Sequence, residues 1–311
     1  MSNRRNVYFV VLPNMMALDI VGAAETLNFA DDVFNIIYVG QSEEVKCSTG
    51  LVIGELSPLP EVIPSGSLVV LPGVSDSLVD FDNKAAEATI KWVKKLKPQV
   101  DNDELSIVCI CSGALLAAKA GLLDNRKCTT HHEILDRLRD LSPLAKVKEN
   151  LLFIEDKGVF TCAGIMAGID LALSLVRKYC GDKVSMQVAR EMVVYFPRNG
   201  KDNQVSPWLK FRHHHHPVIH RAQDAIVSHP ENNWTLENLS REVHVSARHL
   251  SRLFNQYLNI SVKEYHERMK LVLVDKHLNQ GIKKEKAVIL AGFNSVRQFK
   301  RAQERVASKD S

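Results

Sequence analysis

Cys111 stands between an apolar run, Leu105-Ser-Ile-Val-Cys-Ile110, and a small-residue stretch from Gly113 to Ala120 that reads as a helix. A strand that turns sharply into a helix exposes the side chain at the junction, and the helix N-terminus favours negative charge beside it. A cysteine at such an elbow is a candidate nucleophile, because its thiolate is stabilised there. The Cys109-x-Cys111 spacing has no second pair to complete a metal site, so neither metal nor cofactor is expected. A different chemistry is written near the other end of the chain. Ala247, Arg248, His249, Ser251, Arg252 and Asn255 form one set of small, polar and basic residues, and Ser295, Arg297, Gln298 and Arg301 form a second. Such side chains suit base edges and phosphates, arginine on guanine being the commonest specific pairing.

The elements that carry these sets are two successive helix-turn-helix patterns. In the first, Trp234 to Phe254, Thr235 is the expected N-cap and Leu236, Leu239 and Val243 the inner face of a short helix. Ser246 then caps a second helix with Leu250, Leu253, Phe254 and Tyr257 as its core residues. In the second, Lys286 to Arg301, the chain turns at Ala291-Gly-Phe293 and restarts at Asn294, with Val296, Phe299 and Ala302 inward. A helix from Val262 to Leu278 joins them. This arrangement places side chains in a DNA major groove. Specificity is expected to rest more on Ala247 to Asn255 than on Asn294 to Arg301. A plain helical bundle with a solvated basic face is the alternative.

Upstream, apolar runs alternate with helical patterns. Strands are expected at Val7–Leu12, Ile36–Val39, Ser67–Leu71 and Leu105–Ile110, with a hairpin over Leu151–Glu155 and Val159–Cys162. Helices are expected at Asp19–Ala30, Ala85–Leu96, Gly113–Ala120 and Ile165–Tyr179. That alternation predicts an α/β fold with a parallel sheet covered on both faces, followed by an all-α domain. The boundaries predicted are 1–198 for a sensing and dimerisation domain, 199–217 for a linker bracketed by Pro207 and Pro217, and 218–311 for a DNA-binding domain. His213 to His216 is expected to be a surface feature of that linker rather than a metal site.

With 311 residues, two domains are the natural expectation. From Pro217 onward there are 16 Lys and Arg against 10 Asp and Glu, a net of +6, leaving −2 for the rest of a chain whose total is +4. Charge concentrated on the helical part fits a polyanion partner. The six cysteines all precede residue 181 and form no disulfide framework, so reduced thiols are expected. No apolar run approaches a membrane span and Val7–Leu12 is too short for a signal peptide, so a cytoplasmic location without membrane contact is expected.

Residues 234–305 resemble the DNA-binding domain of the AraC-type transcription regulators, on Val-Ser-Ala-Arg-His-Leu-Ser-Arg-Leu-Phe (245–254) and Ala-Gly-Phe-Asn-Ser (291–295). The first part resembles the PfpI/ThiJ branch of the class I glutamine-amidotransferase-like fold. The matching stretches are Ala-Leu-Asp-Ile-Val-Gly (17–22), Val-Val-Leu-Pro-Gly (69–73), Val-Cys-Ile-Cys-Ser-Gly-Ala (108–114), Ala-Gly-Leu-Leu-Asp (120–124), Thr-Thr-His (129–131) and Ala-Gly-Ile-Met-Ala-Gly-Ile-Asp (163–170). The order of the two resembles bacterial regulators that fuse these domains and are taken to sense small nitrogenous metabolites.

The resemblance implies that Asp19 approaches the Cys111 thiol, that His131 lies near the elbow, and that the N–H groups of Gly73 and Ser112 form an oxyanion-type pocket. The peptidase-like branch has histidine directly after the cysteine, where this chain has Ser112, leaving His131 as the base for any hydrolysis. The reading that follows is a DNA-binding transcription regulator, not an enzyme. A small-molecule effector would bind at Asp19, Gly73, Cys111, Ser112 and His131, and the chain would act as a homodimer. The rivals are a cysteine-dependent hydrolase, hydratase or deglycating enzyme using Cys111, Asp19 and His131, and a redox sensor centred on Cys111.

Overall fold

The computed structural model describes residues 4–30, 33–74, 83–194, 197–204, 211–212 and 214–310. Pro207 and His213, named above as linker features, lie outside the described residues. The chain divides into two compact units, Met1–Gln204 and Val205–Ser311.

Among the described residues the main sheet of the first unit has seven strands: β1 (Arg5–Val10), β2 (Phe34–Gly40), β3 (Ser57–Pro58), β4 (Ser67–Leu71), β5 (Leu105–Ile110), β6 (Phe153–Asp156) and β7 (Val159–Cys162). Their order across the sheet is β6-β7-β5-β4-β1-β2-β3. All neighbours are parallel except β6 and β7, the hairpin expected from the sequence. Every residue of β4 is buried, and all but Ser106 in β5. These central strands are covered on both faces, which is why they read as unbroken apolar runs. Helices α1 (Ala17–Asn28), α6 (Met166–Cys180) and α7 (Asp182–Glu191) pack in series, and α2 (Lys84–Lys95), α3 (Lys97–Asp101), α4 (Gly113–Lys119) and α5 (Leu135–Leu141) form the other group. From β1 the chain winds outward to β2, whereas from β4 it winds the opposite way to β5. The crevice at the carboxyl ends of β1 and β4, where the winding reverses, is the place such sheets offer to a ligand.

Among the described residues the regular elements of the second unit are all helices: α8 (Pro217–Ser228), α9 (Leu236–Glu242), α10 (Ala247–Leu258), α11 (Val262–Asn279), α12 (Lys284–Leu290) and α13 (Val296–Asp310). It has two apolar cores. Ile219, Ile226, Leu239, Leu250, Phe254, Tyr265 and Met269 make the first; Val274, Ala287, Val288, Phe293, Phe299 and Ala302 make the second. Helix α11 supplies both, which is how it joins two small helix pairs.

Two expectations fail here. Tyr257 is 39% exposed and stacks near His216, with ring centroids 5.0 Å apart, while Leu258 takes the core position. The histidine tract is not a surface feature throughout: His214 is 7% exposed, its Nε2 lies 3.2 Å from Gln223 Oε1, and its carbonyl meets His220 Nε2 at 2.7 Å. Helix α8 offers polar partners to the tract, and composition alone does not show that.

Candidate functional site

Cys111 follows β5 with φ = +53°, a left-handed conformation that costs a non-glycine residue about 1–3 kcal/mol. Its surroundings hold it there. The Cys111 N–H donates to the Cys162 carbonyl at 3.1 Å, and its own carbonyl accepts the Thr130 hydroxyl at 2.8 Å. Gly164, at φ = +94°, presses on it so closely that an added methyl group would lie 2.3 Å from Cys111 Cβ and 2.8 Å from Sγ. Ser112 and the start of α4 follow immediately, giving the strand-to-helix elbow expected from the sequence.

Asp19 comes from the first turn of α1 and is 1% exposed. Its Oδ2 accepts the Gly73 N–H at 3.1 Å and its Oδ1 the Ile165 N–H at 2.8 Å. Burial pushes the Asp19 carboxyl above its ordinary pKa, and the Ile165 and Gly73 N–H groups pull against that rise. A methyl group placed on Gly73 would sit 2.6 Å from Asp19 Oδ2 and 2.7 Å from Cys111 Cβ, so the carboxylate and the cysteine close on one point.

The expected roles therefore divide. The Gly73 N–H is already given to Asp19 and is not an oxyanion donor. Asp19 itself is buried, each oxygen accepting one backbone N–H, so it braces the loops after β4 and β7. Ser112 is also buried, its Oγ accepting the Val74 N–H at 2.9 Å and donating to the Val74 carbonyl at 3.3 Å. Sequence spacing shows which residues converge, but not whose donors are consumed. Cys111 and His131 are the half-exposed members of the set. His131 directly follows Thr130, and its Nδ1 lies 3.7 Å from Glu133 Oε2. Thr130, Gly164 and Ile165, which hold the elbow, escaped the sequence reading as site residues; the positive φ values of 164 and 165 carry no composition signal.

Burial pushes the Cys109 and Cys162 thiols far up and Cys128 to about 11, so these stay protonated near neutral pH. Among the described residues no group of His, Cys, Asp and Glu is arranged to hold a metal.

In the second unit the first helix pair is capped as expected. Thr235 Oγ1 accepts the Asn238 N–H at 3.1 Å, and Ser246 Oγ accepts the His249 N–H at 3.2 Å. Between them His244 makes the turn at φ = +57°. Arg248, His249, Ser251, Arg252 and Asn255 line one open groove of about 680 Å³ together with Leu236 and Ser246. Arg252 donates to His249 Nδ1 at 3.2 Å, which orients the guanidinium, whereas Asn255 Nδ2 turns back to the Ser251 carbonyl at 3.0 Å. Ala247 is half-buried at the start of the helix.

In the second pair Ser295 is the capping residue: its Oγ accepts the Gln298 N–H at 3.2 Å, and Gln298 Oε1 accepts the Asn294 N–H at 2.8 Å. This reciprocal pairing satisfies orphan N–H groups at the helix start. It engages the Ser295 oxygen and the Gln298 carbonyl oxygen as acceptors, while Ser295, Arg297, Gln298 and Arg301 are all exposed. Helix α12 is well formed, with Ala287 and Val288 fully buried.

Comparison with known proteins agrees with this division. Residues 5–178 match the DJ-1/PfpI family and residues 239–308 a helix-turn-helix domain. The chain is 26% identical over 308 residues to the HTH-type transcriptional regulator CdhR of Pseudomonas aeruginosa, covering 96% of this chain and 88% of that protein. It is 29% identical over 178 residues to isonitrile hydratase of Pseudomonas putida, covering 56% of this chain and 71% of the enzyme. A crystal structure of an AraC family transcriptional regulator from Pseudomonas putida superposes with a TM-score of 0.52 at 20% identity, covering 60% of this chain and 99% of that one.

Proposed function

Since this chain belongs to the DJ-1/PfpI family through residues 5–178 and carries a helix-turn-helix domain over residues 239–308, we propose that it is a sequence-specific DNA-binding transcription regulator whose first unit responds to a small metabolite. The observation that carries this reading is the pair of capped helix-turn-helix units. In the first, Arg248, His249 and Arg252 stand on the open N-terminal half of α10, where a recognition helix meets base edges. Full-length similarity to an HTH-type regulator supports the same reading.

The effector is a small polar, nitrogenous molecule seated against Cys111 and His131, with Asp19, Gly73 and Ser112 as the bracing behind them. Leu18 and Val21 on α1, Ile165 just before α6 and Met166 at its start are exposed apolar residues and support a homodimer through this face. Dimerisation would match paired half-sites on DNA. Among the described residues no helix is long and apolar enough to cross a membrane.

One observation favours a second reading. The Cys111 elbow and the similarity to isonitrile hydratase keep a cysteine-dependent hydratase or hydrolase in view. Against it stands the donation of the Gly73 N–H to Asp19, which engages one of the two donors expected for an oxyanion pocket. Cys111→Ala separates the two: a regulator keeps its affinity for DNA and changes only its response to ligand. Turnover of an isonitrile or nitrile that vanishes in the variant supports the enzyme.

A further inference from the structure

The last stretch of the first unit, Arg198 to Gln204, runs as a strap beside the sheet. At one end the Arg198 N–H and Nε each donate to Asp170 at 2.9 Å, and Asp170 is buried on α6. In the middle, Leu152 N–H donates to the Asp202 carbonyl at 3.0 Å and Asp202 N–H to the Asn199 carbonyl at 2.9 Å. At the other end the Gln204 carboxamide reaches back into the fold. Its Nε2 meets the Thr130 carbonyl at 2.7 Å, the Leu151 carbonyl at 2.9 Å and Thr129 Oγ1 at 3.2 Å.

Two carbonyls can only accept, so the amide must present its NH2 to them and turn its oxygen the other way. That oxygen, Gln204 Oε1, is buried and has no hydrogen-bond partner among the described residues. A buried acceptor without a donor is costly, and a neutral amide grips less firmly than the charge-assisted Arg198–Asp170 contact. The strap thus has a firm end and an end poised to let go. The poised end rests on Thr130, whose hydroxyl holds the Cys111 carbonyl at 2.8 Å. Gln204 is also the residue at which the first unit passes into the second along the chain.

We propose that Gln204 is the residue through which occupancy of the Cys111 pocket is passed to the segment leading to the DNA-binding unit. An occupant that moves the elbow moves Thr130, Thr130 moves the carbonyl that Gln204 holds, and the strap's last residues are released. This rests on the reading of Cys111 and His131 as the effector face. It adds a positioning residue that lies outside that face.

The test uses the full chain and hydrogen exchange read by mass spectrometry, with iodoacetamide as the probe. Carboxamidomethylation of Cys111, verified by mass, supplies the occupant. In the unsubstituted protein the adduct is expected to speed exchange of the Leu152 and Asp202 amides about fivefold, the factor expected from losing one ordinary hydrogen bond. Gln204→Ala should show that faster exchange without the adduct, and the adduct should add nothing further. Gln204→Glu, which keeps the volume but sets a carboxylate against two carbonyl oxygens, should behave alike. A merely structural Gln204 would leave the response to the adduct intact in both variants. Such a retained response overturns the proposal, as does an unchanged strap in the unsubstituted protein with Cys111 fully modified. The same samples titrated with DNA report separately on the regulator reading, because exchange is measured without DNA.

Discussion

The N–H of Ile165 donates to Asp19 Oδ1 at 2.8 Å, joining residues 146 positions apart. The other carboxylate oxygen accepts the N–H of Gly73. One buried side chain on α1 therefore fixes the two loops between which Cys111 sits, and the left-handed backbone of Ile165, at φ = +51°, is part of what it holds.

Asp19→Ala leaves two backbone N–H groups without an acceptor in a buried place, at a cost of about 2–4 kcal/mol to the first unit. Denaturant unfolding of the variant should show that loss, and iodoacetamide labelling of Cys111 should change in rate. An unchanged midpoint and labelling rate would contradict the brace.

Arg248→Ala should weaken operator binding by about 1–3 kcal/mol and relax selection at one base position, since a base-reading arginine contributes both. His249→Ala acts indirectly: it frees the Arg252 guanidinium that His249 Nδ1 now orients. Gel-shift titrations against operator and scrambled duplexes distinguish these cases. Equal loss on both duplexes would assign Arg248 to phosphate contact.

His266 gives the second unit a pH dependence. The ring is 7% exposed and its Nε2 faces the Pro230 carbonyl at 2.8 Å; since a carbonyl only accepts, the neutral ring carries its proton on Nε2. Burial is the main cause of its pKa falling to about 4 from the usual 6.5. Between those values the unfolded chain binds the extra proton, so stability present above pH 6.5 is lost as pH falls toward 4, by about 3 kcal/mol in all. Thermal melts of the second unit's transition should drop across that window. His266→Gln should flatten the drop, and an equal slope in both proteins would refute the assignment.

Gly292 in the second turn has φ = +82°, and a methyl group there would lie 2.2 Å from the Glu231 carbonyl oxygen. Gly292→Ala should cost at least about 1–3 kcal/mol from backbone strain alone. Because Lys270 Nζ also donates to the Gly292 carbonyl at 2.8 Å, the damage should spread from the second turn to α11 and lower DNA affinity. Calorimetry and gel shifts on the variant measure the two effects.

Much of this was legible in the residues. Strands β4 and β5 begin and end where their apolar runs do, because central strands buried on both faces leave no alternation to blur their limits. The caps Thr235 and Ser246 were readable because a small hydroxyl residue before an amphipathic run has one local use. What the sequence hid is where hydrogen bonds are already spent. Asp19, Gly73 and Ser112 look like a ligand set by position, yet they satisfy one another and Val74, a matter of partners distant in sequence. Ser295 and Gln298 look free on a helical wheel, and only backbone geometry engages them as caps. His214 and Tyr257 exchanged expected environments because α8 and α10 meet over the histidine tract. Gln204 carried no signal at all, being one polar residue in a polar stretch.

The central claim is that the full chain reads DNA sequence, and selection from a pool of random duplexes measures it most directly. The account predicts enrichment of a defined motif, protected over adjacent major-groove segments, with weaker selection when Arg248 or Arg252 is replaced by alanine. Recovery of random sequences, with binding that depends on salt but not on sequence, would contradict it.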